Sequence, residues 1–393
     1  MTAPERTATR IPPLVEPAGP LSPRELGRYS RHLSLPGIGP EGQRRLRAAH
    51  VLVIGAGGLG APVLQYLCAA GVGRLTVIDD DVVEASNLQR QVIHRTEDIG
   101  RPKAESARDA LLRLDPEARV RAIHGRLNPE NALELFAEHD LVLDGTDNFA
   151  TRYLSNDASE LTGTPLVWGT IFRFSGQASV FWPEHGPTLR DLFPDIPAAD
   201  SVPSCAEGGV FGVLPGLVGS TMANEALKLI CGIGEPLIGR LWRYDALAAT
   251  AGELRFGRDP GREPVVDLEE ATVACGVEAP KEPEEAGRIG SAEARALSER
   301  GRAVLVDVRE PWELEIASIP SARSVPLGAI EADGWRALGD LPEDSAVVLL
   351  CKAGVRSDRA RERLLRDARR DVRSLTGGII AWQETVHGET LVY

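Results

Sequence analysis

The stretch VLVIGAGGLG, residues 51–60, decides the fold of the first part of this chain, because a short β-branched run ends in a cluster of glycines. APVLQYLCAAGVG (61–73) follows and is long enough for a helix, and RLTVID (74–79) is a second strand-like run. Strand, glycine turn, helix and strand together make a βαβ unit. We therefore predict a parallel, doubly wound α/β sheet.

Further strand signals lie on the C-terminal side of this unit. DLVLDGTDN (140–148) ends in a polar loop, and TPLVWGTI (164–171) precedes the alternating QASVFW (177–182), which predicts that the later strands turn antiparallel. Strand-like runs typical of an α/β domain appear again at AVLVDVRE (303–310) and AVVLLC (346–351). This last part is long enough for one further small domain.

Composition then divides the chain into four parts. Residues 1–22 contain five prolines and no apolar run, so we predict a disordered lead-in there. Residues 257–287 are rich in Pro, Glu and Gly and predict a linker. The two domains are expected at 23–256 and 288–393.

Charge and cysteine content exclude several classes of protein. The net charge is −13, which argues against a partner such as nucleic acid or an anionic membrane. No apolar run reaches the roughly 18–20 residues of a membrane span. The five cysteines are widely spaced and do not suggest a disulfide framework, so we expect a reducing, cytoplasmic location.

The glycine cluster predicts a nucleotide site. Gly55, Gly57 and Gly60 fit the pattern G-x-G-x-x-G after a strand, and Gly58 lies within it. Such a turn brings backbone N–H groups close to phosphate oxygens at a helix N-terminus. Asp79 ends the next strand, where a carboxylate can hold ribose hydroxyls. These features alone fit an NAD site as well as an ATP site.

Basic and acidic residues further along favour ATP. Arg90 and Lys103 are suited to charge that develops on phosphates when a carboxylate attacks the α-phosphorus, which a hydride-transferring dehydrogenase does not require. Asp144 and Asp147 close a strand at the edge where ligands of a parallel sheet bind, and paired carboxylates there suit Mg²⁺.

A second candidate site surrounds Cys351, which ends a strand and begins the loop CKAGVRS before a helical run. Backbone N–H groups of such a loop stabilise a thiolate, and a persulfide equally; Lys352 and Arg356 add positive charge. Four residues separate Cys351 from Arg356. Phosphatases with a similar cysteine loop have five residues between the cysteine and the arginine, which makes a larger loop that encloses phosphate. The shorter loop here fits sulfur better.

Residues from about 28 to 256 resemble the ubiquitin-activating-type adenylyltransferases of molybdopterin and thiamine synthesis, the MoeB and ThiF group. The matching blocks are RYSRHLSLPGIG, VLVIGAGGLG, NLQRQ, GRPKAESARDAL, HDLVLDGTDN and CAEGGVFGVLPGLVGS. The resemblance implies a homodimer that adenylates the terminal glycine of a small ubiquitin-like carrier ending in Gly-Gly. It implies Mg²⁺ on Asp147, Arg31 reaching into the partner subunit's site, and ATP bound by Gly58, Asp79, Asn87, Gln89, Arg90, Gln91, Lys103 and Asn148.

One feature of that group is missing. Many relatives bind a structural Zn²⁺ through two C-x-x-C pairs, whose positions here hold Thr188, Asp191, Thr272 and Cys275. One thiol cannot form a tetrahedral thiolate site, so we expect no zinc and a corner held by packing. The resemblance also places a reactive cysteine at Cys205, in a loop-like segment. For the other two cysteines, Cys68 and Cys231, apolar helical surroundings predict a packing role.

Residues 290–382 resemble a single rhodanese domain, through AVLVDVREPWELEIASIPSA, VVLLCKAGVRS and LTGGIIAW. A rhodanese uses the cysteine corresponding to Cys351 to carry sulfane sulfur, and Asp307 and Arg309 belong to the same pattern. The expected fold is therefore a Rossmann-like adenylation domain of the ubiquitin-activating type plus a small α/β rhodanese domain, as in MoeZ-type adenylyltransferase/sulfurtransferases.

The combined expectation is carrier adenylation followed by sulfur transfer from a Cys351 persulfide to give a carrier thiocarboxylate. The sulfur donor would be thiosulfate or a cysteine desulfurase. Molybdenum cofactor, thiamine, cysteine and thiolated-tRNA synthesis all use similar carriers, so the pathway stays open. An alternative is adenylation alone, with the rhodanese part an inert docking module.

Overall fold

The computed structural model describes residues 11–196, 209–268, 270–271, 287–342, 345–367 and 370–388. The chain forms two compact units, Met1–Ala279 and Pro280–Tyr393. In neither unit do the described residues include a helix that is both long and apolar enough to cross a bilayer.

The first unit is built on an eight-stranded sheet with the order β3-β2-β1-β4-β5-β6-β7-β8. Five strands are parallel, as the βαβ pattern predicts: β1 His50–Ile54, β2 Arg74–Asp79, β3 Arg119–His124, β4 Leu141–Asp144 and β5 Leu166–Phe172. The predicted change of direction is confirmed, because three antiparallel strands follow: β6 Ser175–Phe181, β7 Arg240–Asp245 and β8 Thr250–Arg255.

Helices cover both faces of this sheet. Val51 and Val53 pack into one apolar cluster, whereas Leu52 and Ile54 pack into another, because successive side chains of a strand point to opposite faces. The longer helices are α3 Gly39–Ala48, α4 Gly60–Ala69, α5 Lys103–Leu114, α7 Phe149–Thr162 and α9 Leu214–Cys231; the shorter ones are α1 Pro23–Arg28, α2 Ser30–Leu33, α6 Ala132–Ala137 and α8 Leu189–Leu192.

Residues 11–22 are ordered, so the prediction of a disordered lead-in over 1–22 is wrong for this part. Ile11, Leu14 and Val15 pack against the apolar cluster that contains α9, and the Leu14 N–H donates to the carbonyl of Leu229 at 3.2 Å. The apolar side chains between the prolines bury their surface on this cluster, and the overall composition of the segment does not reveal this. Residues 1–10 lie outside the described residues.

The predicted linker also begins too early. Leu268 and Ala271 are buried in the cluster that contains Leu52, so residues 257–268 and 270–271 belong to the first unit. The rest of the predicted linker, except Gly287, lies outside the described residues.

A polar network closes the corner at Thr188 and Asp191. Thr188 Oγ1 donates to Glu160 Oε1 at 2.6 Å, and the Thr188 N–H donates to Asp191 Oδ2 at 2.7 Å. Arg262 joins both acids, with Nε 3.1 Å from Asp191 Oδ1 and Nη2 3.1 Å from Glu160 Oε2. Ion pairs therefore hold a corner for which we expected packing alone. The absence of zinc stays a prediction, which elemental analysis of the purified protein tests.

The second unit is a five-stranded parallel sheet with the order β11-β10-β12-β13-β9. Leu349 faces one apolar cluster and Leu350 the other, so this sheet is also covered on both faces. The strands are β9 Arg288–Ile289, β10 Ala303–Asp307, β11 Arg323–Ser324, β12 Ala346–Leu350 and β13 Val372–Leu375; the helices are α10 Ser291–Glu299, α11 Leu327–Asp333, α12 Val355–Leu365 and α13 Gly378–Trp382. The predicted α/β class is confirmed in both units.

We predict that Arg262→Gln lowers the free energy of unfolding by about 1–3 kcal/mol, because two largely buried carboxylates lose their cation. Arg255→Gln is the matched control: Arg255 pairs with Glu253 on the surface, and loss of such a pair costs roughly 1 kcal/mol or less. Urea unfolding of the full chain measures both. Equal destabilisation by the two variants would show that the network does not hold this corner.

Candidate active sites

The glycine loop between β1 and α4 is shaped by two positions that only glycine fits. Gly55 has a φ of +91°, a conformation that strongly favours glycine. A Cβ on Gly60 would lie 1.9 Å from the carbonyl oxygen of Gly55, so the loop and the start of α4 pack backbone against backbone. This close turn leaves the N-terminus of α4 facing the C-terminal edge of the sheet.

Asp79, at the end of β2, holds that loop. Its Oδ2 accepts the Ala56 N–H at 2.7 Å, and its Oδ1 accepts the Asp81 N–H at 2.8 Å. Burial raises the pKa of Asp79, although these N–H groups and Lys103 act in the opposite direction. The predicted ribose ligand thus also has a local structural role.

One cavity of about 180 Å³ lies over the loop. It collects side chains from the ends of β2 and β4 and from the segment that leads into α5. The predicted residues that line it are Gly55, Gly57, Gly58, Asp79, Arg90, Gln91, Lys103, Asp147 and Asn148.

Four of the residues predicted to bind the nucleotide do not line this cavity. Gly60 acts through backbone packing, and Asn87 accepts the Glu84 N–H at 3.1 Å, which closes its own short turn. Gln89 is exposed and lies against the backbone of Gly212. Arg31, on α2, is exposed, as a residue expected to act in a partner subunit would be.

Lys103 is the first residue of α5 and is 6% exposed. Its Nζ donates to Asp81 Oδ2 at 2.7 Å. Arg126, a lining residue that the sequence patterns missed, makes an ion pair with Asp80 at 3.1 Å. Two carboxylate–cation pairs therefore lie among the residues that line the cavity.

The prediction that two carboxylates face a Mg²⁺ site is wrong for Asp144. Asp144 is fully buried beneath the loop, where its Oδ1 accepts the N–H and the hydroxyl of Thr146 at 2.9 and 2.7 Å. Asp147 is exposed and lines the cavity. The two carboxylates have different surroundings because Asp144 still belongs to β4, whereas Asp147 lies in the loop that follows it.

His94 is a site residue that the motifs did not reveal. It is 6% exposed; its Nε2 lies 2.9 Å from the carbonyl oxygen of Ala56 in the glycine loop, and its Nδ1 lies 2.8 Å from Ser106 Oγ on α5. Burial lowers the pKa of His94, and the charge of Lys103 acts in the same direction, although the bond to the Ala56 carbonyl opposes the shift. The imidazole thus connects the glycine loop to the helix that carries Lys103.

Cys351 follows β12 directly and starts the loop that leads to α12. Its Sγ accepts the Gly354 N–H at 3.1 Å and lies 3.5 Å from Ser357 Oγ. Gly354 has a φ of +119°, which only glycine adopts readily. The thiol is 1% exposed. The loop therefore encloses the sulfur and directs one backbone N–H group at it, while stabilisation of a sulfur anion stays a prediction.

Arg356 makes a bidentate ion pair with Glu313, at 2.6 and 2.7 Å. Glu313 is positioned in turn by Arg309, which is fully buried, pairs with Asp307 and donates to the carbonyl oxygen of Glu313. The sequence predicts that Arg356 stabilises the sulfur directly. In the structure its ion pair with Glu313 fixes the loop to the turn Pro311–Glu315, and its action on the sulfur stays a prediction.

The remaining cysteines divide into two groups. Cys68 and Cys231 are buried in the apolar cluster of the first unit, as predicted, and burial raises the pKa of each thiol to about 11. Cys205 and Cys275 lie outside the described residues.

Comparison with known proteins divides the chain in the same order. The ThiF family matches residues 29–263, and the rhodanese-like domain matches residues 291–385. A Mycobacterium tuberculosis protein named "Probable adenylyltransferase/sulfurtransferase MoeZ" is 49% identical over 98% of this chain and 100% of its own length. A Thermus thermophilus "Sulfur carrier protein adenylyltransferase" is 54% identical over 64% of this chain and 97% of its own.

A solved structure shares the fold of the first unit. E. coli MccB bound to MccA-N7isoASN superposes with a TM-score of 0.55 over 61% of this chain and 74% of that one, at 21% identity. At that identity the likeness concerns architecture.

We predict that His94→Ala raises the KM for ATP by roughly fivefold, because one neutral hydrogen bond contributes about 1 kcal/mol, while kcat changes less. His139→Ala is the matched control, since His139 is equally buried in the same unit but bonds Leu135 and Thr76, far from the loop. ATP–pyrophosphate exchange measures both constants. The same KM for the two variants would exclude a positioning role for His94.

Proposed function

We propose, from the premise that this chain belongs to the ThiF family and ends in a rhodanese-like domain, that its two activities act in sequence on one small sulfur-carrier protein. The chain is an adenylyltransferase and a sulfurtransferase. The carrier's terminal carboxylate would first be adenylated by ATP, and the Cys351 persulfide would then supply sulfur. The relative from Thermus thermophilus carries a name that includes such a carrier.

The observation that supports the adenylation step is the convergence of the glycine loop, Arg90, Lys103 and Asp147 on one cavity. We infer that the loop N–H groups and Lys103 bind the phosphates of ATP. The carrier carboxylate attacks the α-phosphorus, the bond to the β-phosphate breaks, and pyrophosphate leaves. Fixed cations stabilise the charge that develops on the leaving group, because they need no reorganisation.

We place Mg²⁺ in the same cavity. Asp147 would hold it, since its carboxylate is exposed to the cavity and oxygen donors are what Mg²⁺ prefers. A bound Mg²⁺ would neutralise part of the phosphate charge.

Sulfur transfer would use the enclosed loop around Cys351. The terminal sulfur of the Cys351 persulfide attacks the acyl-adenylate carbonyl, AMP leaves, and an acyl disulfide forms. A second thiol then attacks the Cys351 sulfur, which releases the carrier thiocarboxylate and leaves a protein disulfide that a thiol reductant must reduce. Cys205 is our candidate for the second thiol. The Gly354 N–H and the helix N-terminus at Val355 stabilise the sulfur anion.

The partners follow from this chemistry. The carrier would be a ubiquitin-like protein ending in Gly-Gly, the sulfur donor thiosulfate or a cysteine desulfurase, and the enzyme a cytoplasmic homodimer. Carriers of molybdenum cofactor, thiamine, cysteine and thiolated-tRNA synthesis are all chemically acceptable substrates.

We predict that two substitutions separate the two steps. Lys103→Ala should lower ATP–pyrophosphate exchange by about 10²–10³-fold, because one phosphate-binding cation is lost. Cys351→Ala should leave exchange unchanged and abolish thiocarboxylate formation, since alanine cannot hold a persulfide. Mass spectrometry of the carrier, with thiosulfate as the only donor and sulfide excluded, measures the second step.

Lys228→Ala and Cys231→Ala are the controls, because Lys228 pairs with Glu225 away from the cavity and Cys231 is a packing thiol. Normal exchange by Lys103→Ala would refute the adenylation site. Full thiocarboxylate formation by Cys351→Ala would refute the persulfide, leaving the second domain a docking module.

We predict that Arg31 acts in the partner subunit of a homodimer. Arg31→Ala and Lys103→Ala chains should each be inactive alone. The mixture should regain about a quarter of the wild-type exchange rate, since random pairing makes half of the dimers mixed and each mixed dimer has one intact site of two. Exchange activity after subunit mixing, followed together with native mass spectrometry, measures this. Proven mixing without recovery would contradict sharing of the site.

A further inference from the structure

A second cavity lies at the opposite edge of the eight-stranded sheet and has a volume of about 410 Å³. Arg74, the first residue of β2, lines it, whereas Asp79, the last residue of β2, lines the nucleotide cavity. At a rise of about 3.3 Å per residue, the two ends of that strand are about 17 Å apart. The second cavity is therefore separate from the sites described above.

The lining of this cavity is rich in arginine. Three arginines have carboxylate partners within it: Arg24 pairs with Asp115 and Glu117, Arg28 pairs with Asp115, and Arg47 pairs with Glu25. These interactions balance the acidic groups of the lining.

Two further arginines, Arg74 and Arg119, are left without such partners. They are the first residues of β2 and β3 and lie directly side by side in the parallel register. Neither side chain forms a hydrogen bond or an ion pair with another residue in the part of the chain that the structure describes. Like charges on neighbouring strands repel each other, and a bound anion would relieve this repulsion.

Isolated surface arginines are common and are usually only solvated. Here, however, the pair lines a cavity and stands in a chain whose net charge is −13, so a basic composition does not explain it. Guanidinium groups match the oxygens of phosphate with bidentate geometry. Neighbouring strands are about 4.8 Å apart, which allows two guanidinium groups to share one oxyanion.

We propose that Arg74 and Arg119 form a binding site for a compact dianionic oxyanion, either free phosphate or the phosphate group of an ester. The site is remote from the adenylation chemistry. Since Arg24 and Arg28 of α1 form another wall, a bound anion also connects α1 to the start of β2 and β3. Residue Arg31 follows on α2, so this site adjoins the segment proposed to serve the partner subunit.

Calorimetric titration of the full-length protein tests this site. The nucleotide cavity is first saturated with a non-hydrolysable ATP analogue and Mg²⁺, so that phosphate cannot bind at the glycine loop. Inorganic phosphate is then titrated at constant ionic strength, and AMP is titrated in a second series. We expect saturable binding of one phosphate per chain. Binding of AMP as well would show that the site accepts an ester, whereas binding of phosphate alone would show that it selects the free anion.

Arg74→Gln combined with Arg119→Gln should weaken this binding at least about tenfold, because charge-assisted hydrogen bonds are lost. Arg113→Gln combined with Arg243→Gln removes the same charge from exposed positions outside the cavity, and should leave the affinity unchanged. All four positions are exposed, so both variants should fold. Absence of saturable binding of either probe at millimolar concentration, or equal affinity in the two double variants, would overturn the proposal.

Discussion

The hydrogen bonds of the Asp79 carboxylate are the constraint on which the nucleotide cavity depends. One oxygen accepts the N–H of Ala56 in the glycine loop, and the other accepts the N–H of Asp81. The side-chain carboxylate of Asp81 in turn accepts a hydrogen bond from the ammonium group of Lys103. His94 holds the carbonyl of Ala56 from the other side. The loop is thus fixed through both backbone groups of one residue before any ligand arrives, and binding need not order it.

The loop that begins at Cys351 in the second unit is held in a similar way by different groups. β12 delivers Cys351 to the C-terminal edge of a parallel sheet, just as β1 delivers the glycine loop. There the fixing group is the buried Asp307–Arg309 pair, which holds the turn that presents Glu313 to Arg356. Both sites therefore place reactive groups on a loop and fix that loop through a carboxylate at the end of a neighbouring strand.

Much of this arrangement is predictable from the sequence. Residues 51–79 specify the βαβ unit because strand, glycine turn and helix signals agree, and the alternation in 164–182 indicates the antiparallel strands. Gly55, Lys103 and Cys351 are found because their chemistry depends on local spacing.

The parts that could not be predicted depend on contacts between distant segments. His94 reaches both Ala56 and Ser106, and Arg262 reaches Glu160, across separations that no local motif records. Asp144 and Asp147 read as a pair, yet the end of β4 divides them between the interior and the cavity. Residues 11–22 look disordered by composition, and the apolar surface that receives them belongs to α9, some 200 residues later.

The corner closed by Arg262 has a consequence for the conditions under which this protein matures. Guanidinium and carboxylate groups contain no sulfur, so oxidants do not attack the ion pairs that hold this corner. The ion pairs of this corner are sensitive to low pH. Despite burial, N–H groups and Arg262 hold the pKa of Asp191 below its ordinary value. The stabilisation is therefore complete above the pKa of the unfolded state and is lost as the pH falls through the lower, folded value.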